Sequence, residues 1–181
     1  MRDRQISRAF TLVEILVVVV ILGIAAAVVV PQIGTQSDLR AAAAARLIMA
    51  DLIYAQNRAI ATQSKHYVVF NTTAGSQSYR LKMASGAALV DIPQPITKET
   101  YYEVKFGQKG TAMSDISLGT VNIESFPTIG FDELGVPYSY NAATSTPTAL
   151  STSGGSTIQV KCGKFTLTIS VEPYTGEIKV N

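Results

Sequence analysis

The sequence predicts an α+β protein: a long N-terminal helix, membrane-spanning in its first half, packed on an antiparallel β-sheet head. Three observations predict it. Ile15 through Val30 is sixteen residues without one polar side chain. Asp38 to about Thr62 is alanine-rich, with apolar residues at helical spacing. From Lys65 onward the apolar residues recur with a period of two, interrupted by glycine, proline and small polar residues.

The apolar run reaches twenty-one residues, Phe10 to Val30, once Thr11 and Glu14 are admitted. At a rise of ~1.5 Å per residue this makes a helix of about 32 Å, the thickness of a bilayer core. Arg2, Arg4 and Arg8 precede the run, and the next cation is Arg40. The basic flank is therefore expected in the cytoplasm and the chain from Pro31 outside, a single pass through the inner membrane. Glu14 is anomalous, because an ionised carboxylate inside an apolar span is costly and needs a partner. A secretory signal carries its cleavage site after a shorter apolar core. Here the small residue, Ala9, precedes the run.

Ala9-Phe10-Thr11-Leu12-Val13-Glu14 resembles the prepilin signal of type IV pilins and type II secretion pseudopilins, Gly-Phe-Thr-Leu-x-Glu, with Ala9 where glycine is usual. Pro31 matches a proline common in the N-terminal helices of those families. The resemblance implies cleavage between Ala9 and Phe10 by a prepilin peptidase and methylation of the new Phe10 amino terminus. It also implies that Glu14 sets the assembly register by meeting the terminal amine of a neighbouring subunit. The chemistry of Glu14 points the same way: two charges that are each costly in lipid neutralise one another when subunits stack. A plain signal anchor, with Glu14 snorkelling to the headgroups, explains none of the six motif positions.

In chain order, residues 1–9 read as a leader, 10–30 as the transmembrane helix, 31–62 as a stalk and head-packing helix, and 63–181 as the β-rich head. Pro31 and Gly34 mark a kink or break. In the second helix Ile48, Leu52, Ala55 and Ala59 share one face, with Asp51, Gln56 and Arg58 on the solvated side. Lys65–Phe70 and Ser78–Met83 read as a hairpin. Ala84–Thr97 reads as loop, and Tyr101–Phe106 as a strand. Thr120–Glu124 and Thr128–Phe131 are short strands, and Asn141–Ser156 is a low-complexity exposed loop. Thr157–Val160, Phe165–Val171 and Glu177–Val180 close the chain.

Phe131-Asp132-Glu133-Leu134-Gly135-Val136-Pro137 resembles the Phe-x-x-x-Gly-x-Pro segment of the H-type minor pseudopilins, the group that includes FimT-like minor pilins. Thr168–Val171 leading to Thr175–Val180 is similar to their closing hairpin. FimT-like pilins bind DNA through arginines near a C-terminal Gly-Arg-x-Arg segment. Gly176-Glu177-Ile178-Lys179 stands there instead, with an acid in place of the first arginine.

Composition excludes other classes. Net charge is +2, and the leader supplies all of it, which leaves twelve basic and twelve acidic residues from Phe10 onward. Such a chain has no overall field to draw nucleic acid. Cys162 is the sole cysteine and His66 the sole histidine, so no disulfide, thiol pair or zinc spacing exists. Two adjacent acids, Asp132 and Glu133, make a poor calcium site without further oxygen ligands. No nucleophile elbow or phosphate loop occurs, which argues against a membrane-anchored enzyme. The sequence therefore points to a minor pseudopilin, a structural subunit of a type II secretion pseudopilus. The alternative is a type IV minor pilin for pilus assembly, adhesion or DNA uptake. The expected partners are other pseudopilins or pilins, the prepilin peptidase, the inner-membrane assembly platform and the membrane, with DNA disfavoured. No cofactor and no metal is implied.

Overall fold

A computed structural model describes residues 11–29, 36–86, 88–151 and 156–181. The chain divides into two compact units, Met1–Gln36 and Ser37–Asn181. Pro31 and Gly34, read as a break, lie outside the described residues.

The first unit contains helix α1, Leu12–Val29. Thr11 caps it: the Glu14 N–H donates to Thr11 Oγ1 at 3.2 Å and to the Thr11 carbonyl at 3.1 Å. A threonine followed three residues later by glutamate is the sequence pattern of a capping box, and the glutamate suits the positive end of the helix dipole. Phe10 and Val30, the two ends of the span expected from the sequence, lie outside the described residues. Among the described residues, no helix is long and apolar enough to cross a membrane.

Helix α2, Gln36–Thr62, belongs to the second unit from Ser37 on, and its buried face is Ala41, Ala44, Ala45, Ile48, Asp51, Leu52, Ala55 and Ala59. Short alanine side chains let the helix approach the strands closely. Eleven strands follow among the described residues: β1 His66–Asn71, β2 Ser78–Ser85, β3 Ala88–Asp91, β4 Tyr102–Lys105, β5 Ile116–Ile123, β6 Thr128–Phe131, β7 Pro137–Asn141, β8 Thr146–Ala149, β9 Ser156–Cys162, β10 Phe165–Val171 and β11 Ile178–Val180. They form two antiparallel sheets rather than one. One runs β3-β2-β1-β6-β7-β8, with β4 also paired to β2; the other runs β11-β10-β9-β5.

Period-two burial explains the first sheet's inner face. Val68, Phe70, Tyr79, Leu81, Ile129 and Phe131 are buried. They join the apolar face of α2 and the inward residues of the second sheet, Ile116, Leu118, Ile158, Val160 and Ile169, in one core cluster. Cys162 is a buried free thiol in that cluster.

Two segments read as loop contain strands. Ala88–Asp91 pairs with the far end of β2, Met83 opposite Val90. Thr146–Ala149 pairs with β7, Tyr140 opposite Pro147. Neither segment alternates clearly on its own, and each is held by a longer neighbour. Pro147 is tolerated because β8 is an edge strand.

Candidate assembly site

Of the residues the sequence singles out, Ala9 and Phe10 lie outside the described residues. Glu14 sits in the first turn of α1, exposed, with its backbone bonded to Thr11. Around it the described side chains of α1 are all exposed, including Leu12 at 82 %, Ile15 at 51 % and Leu22 at 62 %. No polar face balances them, since the residues from Ile15 to Ala27 are uniformly apolar. Eleven large apolar side chains, each roughly half exposed, carry on the order of 10 kcal/mol of burial free energy that an external apolar environment would release. This surface requires lipid or other helices.

In the head, helix α2 keeps a second exposed stripe. Leu39, Ala43, Arg46, Ala50, Ile53, Asn57 and Ile60 recur at spacings of four and three and are all exposed. Leu39 is 69 %, Ile53 40 % and Ile60 43 % exposed. That period matches the seam of packed helices.

The opposite face of α2 is pinned by a buried acid that the sequence reading placed in solvent. Asp51 is 5 % exposed. Its carboxylate accepts the hydroxyl protons of Tyr79 at 2.5 Å and Tyr102 at 2.7 Å. Burial raises the Asp51 pKa above its usual value, against the lowering effect of the two tyrosine bonds. The same burial, with the carboxylate alongside, pushes both tyrosines upward. A charged residue between Ala50 and Leu52 gave no local signal, because its partners lie 28 and 51 residues away in sequence.

Gln56, also read as solvated, is partly buried and joins the two head motifs. Its Nε2 donates to the Gly135 carbonyl at 2.9 Å. A Cβ at Gly135 would lie 2.8 Å from Ile60 Cδ1, and one at Gly176 would collide with the Gln56 amide. Both glycines also have positive φ, 83° and 67°. The Phe-x-x-x-Gly-x-Pro turn and the closing turn therefore meet on one side of α2. Asp132 Oδ1 is spent inside that turn, accepting the N–H groups of Leu134 at 3.0 Å and Val136 at 2.7 Å.

The remaining candidates have structural roles. His66 is 1 % exposed, and its Nδ1 lies 2.9 Å from the Ser64 carbonyl oxygen. Burial lowers its pKa, so the ring is neutral at pH 7. Lys179 Nζ pairs with Glu172 at 3.1 Å and Glu177 at 3.3 Å. Lys161 lays its aliphatic chain over Gly119.

Comparison with known proteins adds one finding. Residues 4–30 match the family described as prokaryotic N-terminal methylation motif. That match covers Ala9, Phe10 and Glu14 and indicates a protein of the type IV pilin-like, prepilin kind. The match spans 27 of the 181 residues and describes the N-terminal segment alone. No curated protein and no solved structure matches the chain.

Proposed function

We propose that the protein is a minor pseudopilin, a structural subunit of a type II secretion pseudopilus. Prepilin peptidase cuts between Ala9 and Phe10, and Phe10 is methylated. The run Phe10–Val30 then anchors the chain once through the inner membrane, with the head outside. On assembly, Glu14 meets the amino terminus of the adjoining subunit. The observation that carries this reading is a fully exposed apolar helix whose one charge, Glu14, stands in its first turn within a methylation motif. A charge so placed has its natural partner in another subunit's terminus. The exposed stripe from Leu39 to Ile60 gives the head a matching surface for neighbouring subunits.

The closing hairpin favours secretion over DNA uptake. Of its lysines, Lys179 is held between two glutamates, and Glu177 would repel a phosphate brought there. The head is therefore expected to bind DNA no more tightly than non-specific levels, roughly 10⁻⁴–10⁻⁶ M at physiological salt. It is expected instead to co-purify with the pilin-like proteins encoded beside it. A salt titration of DNA binding next to that pull-down tests the reading. Submicromolar affinity with a steep salt slope, lost in Lys164→Ala or Lys179→Ala, would transfer the protein to the DNA-uptake pilins.

A further inference from the structure

Strand β4 is an edge with an ordered set of free groups. Phe106 N–H donates to the Gln77 carbonyl at 2.9 Å, and Val104 lies opposite Tyr79. Antiparallel pairing alternates, so Val104 turns its backbone groups toward β2. Glu103 and Lys105 then present their N–H and C=O groups outward, where no described strand pairs with them. Three of the four other edges are less open to a guest: β8 carries Pro147, β5 is bulged between Leu118 and Val121, and β11 has three residues; β3 is the fourth.

Two adjoining hollows lie along this edge and share Tyr101, Glu103, Lys105 and Gln108 in their walls. One, of about 410 Å³, has Leu47, Val104, Thr111 and Met113 as well as Glu99 in its wall besides the shared residues. The other, of about 200 Å³, adds Ser78 and Arg80 to the shared residues. The second is built as well as polar. Arg80 stacks over the Tyr101 ring at 4.9 Å, and its Nε donates to Glu103 Oε1 at 3.0 Å. The Glu103 side chain is 7 % exposed; its Oε2 has Lys105 Nζ at 3.4 Å but no hydrogen-bond partner among the described residues. Two cations thus share one carboxylate in this hollow, one positive charge in excess, while Glu99 stands in the adjoining hollow.

We propose that β4 takes an added strand: an extended segment of another polypeptide with alternating apolar and acidic residues. Its backbone bonds to the outward groups of Glu103 and Lys105. Its apolar side chains fill the hollow over Leu47, Val104 and Met113, and its carboxylates face Arg80 and Lys105. Strand addition supplies affinity through the main chain and selects sequence through the two hollows, as a contact with many different extended segments requires.

The test uses the full chain in detergent micelles, with empty micelles as blank, and the fluorescent peptide acetyl-Thr-Ile-Glu-Ile-Glu-Ile-Thr-amide. The peptide binds, whereas a scramble of the same composition and a version with lysine for glutamate bind at least about tenfold more weakly. Lys105→Ala removes the charge alone. Lys105→Pro also removes the outward donor without touching the bonds to β2, and weakens binding roughly tenfold beyond Lys105→Ala. Peptides N-methylated at alternate amides repeat the test on unaltered protein: only the set facing β4 loses binding. Equal binding of the scramble, equal affinities for the two Lys105 variants with both folded, indifference to which amides are methylated, or no binding of any peptide at millimolar concentration would overturn the proposal. Because the readout is peptide binding, a negative result leaves the assembly reading intact.

Discussion

Asp51 offers the sharpest quantitative test of how the head holds its helix. The carboxylate is buried and accepts two tyrosine hydroxyls, one from fully buried Tyr79. Asp51→Ala leaves that hydroxyl without an acceptor, at about 1–3 kcal/mol, and loses two charge-assisted bonds at about 1.5–3 kcal/mol each. Against this, a buried charge that costs several kcal/mol is relieved. The net expectation is a loss of roughly 2–4 kcal/mol. Asp51→Asn keeps the shape, can bond both hydroxyls, and carries no charge, so it lies near wild type at pH 7. Burial raises the aspartate pKa above its unfolded value. The folded state therefore binds the proton more tightly. The resulting stability is fully present below the unfolded pKa near 3.8 and is lost as pH rises through the folded value. Urea unfolding of residues 37–181 at a series of pH values measures this. The difference between wild type and Asp51→Asn isolates the residue from carboxyls such as Glu103, where burial is outweighed by Arg80 and the pKa is lowered. Tyr79→Phe added to Asp51→Ala should recover about 1 kcal/mol or more by removing the orphaned hydroxyl. An Asp51→Ala head as stable as wild type, or a pH dependence unchanged in Asp51→Asn, would refute the reasoning.

Two further outcomes are expected. Glu14→Leu inserts into the membrane at least as well as wild type, since it removes a carboxylate from the apolar run, but fails to co-assemble with neighbouring subunits in crosslinked fibres. Normal incorporation would show that Glu14 is not the register contact. Gly135→Ala destabilises the head by about 1–3 kcal/mol, from its positive φ and the approach of Ile60, and lowers the thermal midpoint by several degrees. An unchanged midpoint would show that the turn yields freely.

What could be read from the sequence was whatever is local. The N-terminal motif is six consecutive residues, and its helix needs no distant contact. Strands β6 and β10 fall on the expected residues, Thr128–Phe131 and Phe165–Val171, because their apolar patterns are bounded by turn residues. The misses are non-local. Ala88–Asp91 is a strand because β2 extends beside it, and Thr146–Ala149 because β7 does. The division into two sheets depends on β5 pairing with β9, far along the chain. Asp51 was misread for the same reason: helical periodicity assigns a charge to solvent unless two distant tyrosines are known to reach it. The groove along β4 gave no sequence signal, since it arises where Leu47, Val104 and Met113 converge from separate segments.

The central claim, a processed pilin-like subunit, is tested most directly by intact mass. Protein extracted from membranes of a strain with active prepilin peptidase should have the mass of residues 10–181 plus one methyl group. The full-length mass of residues 1–181 would contradict the account at its root.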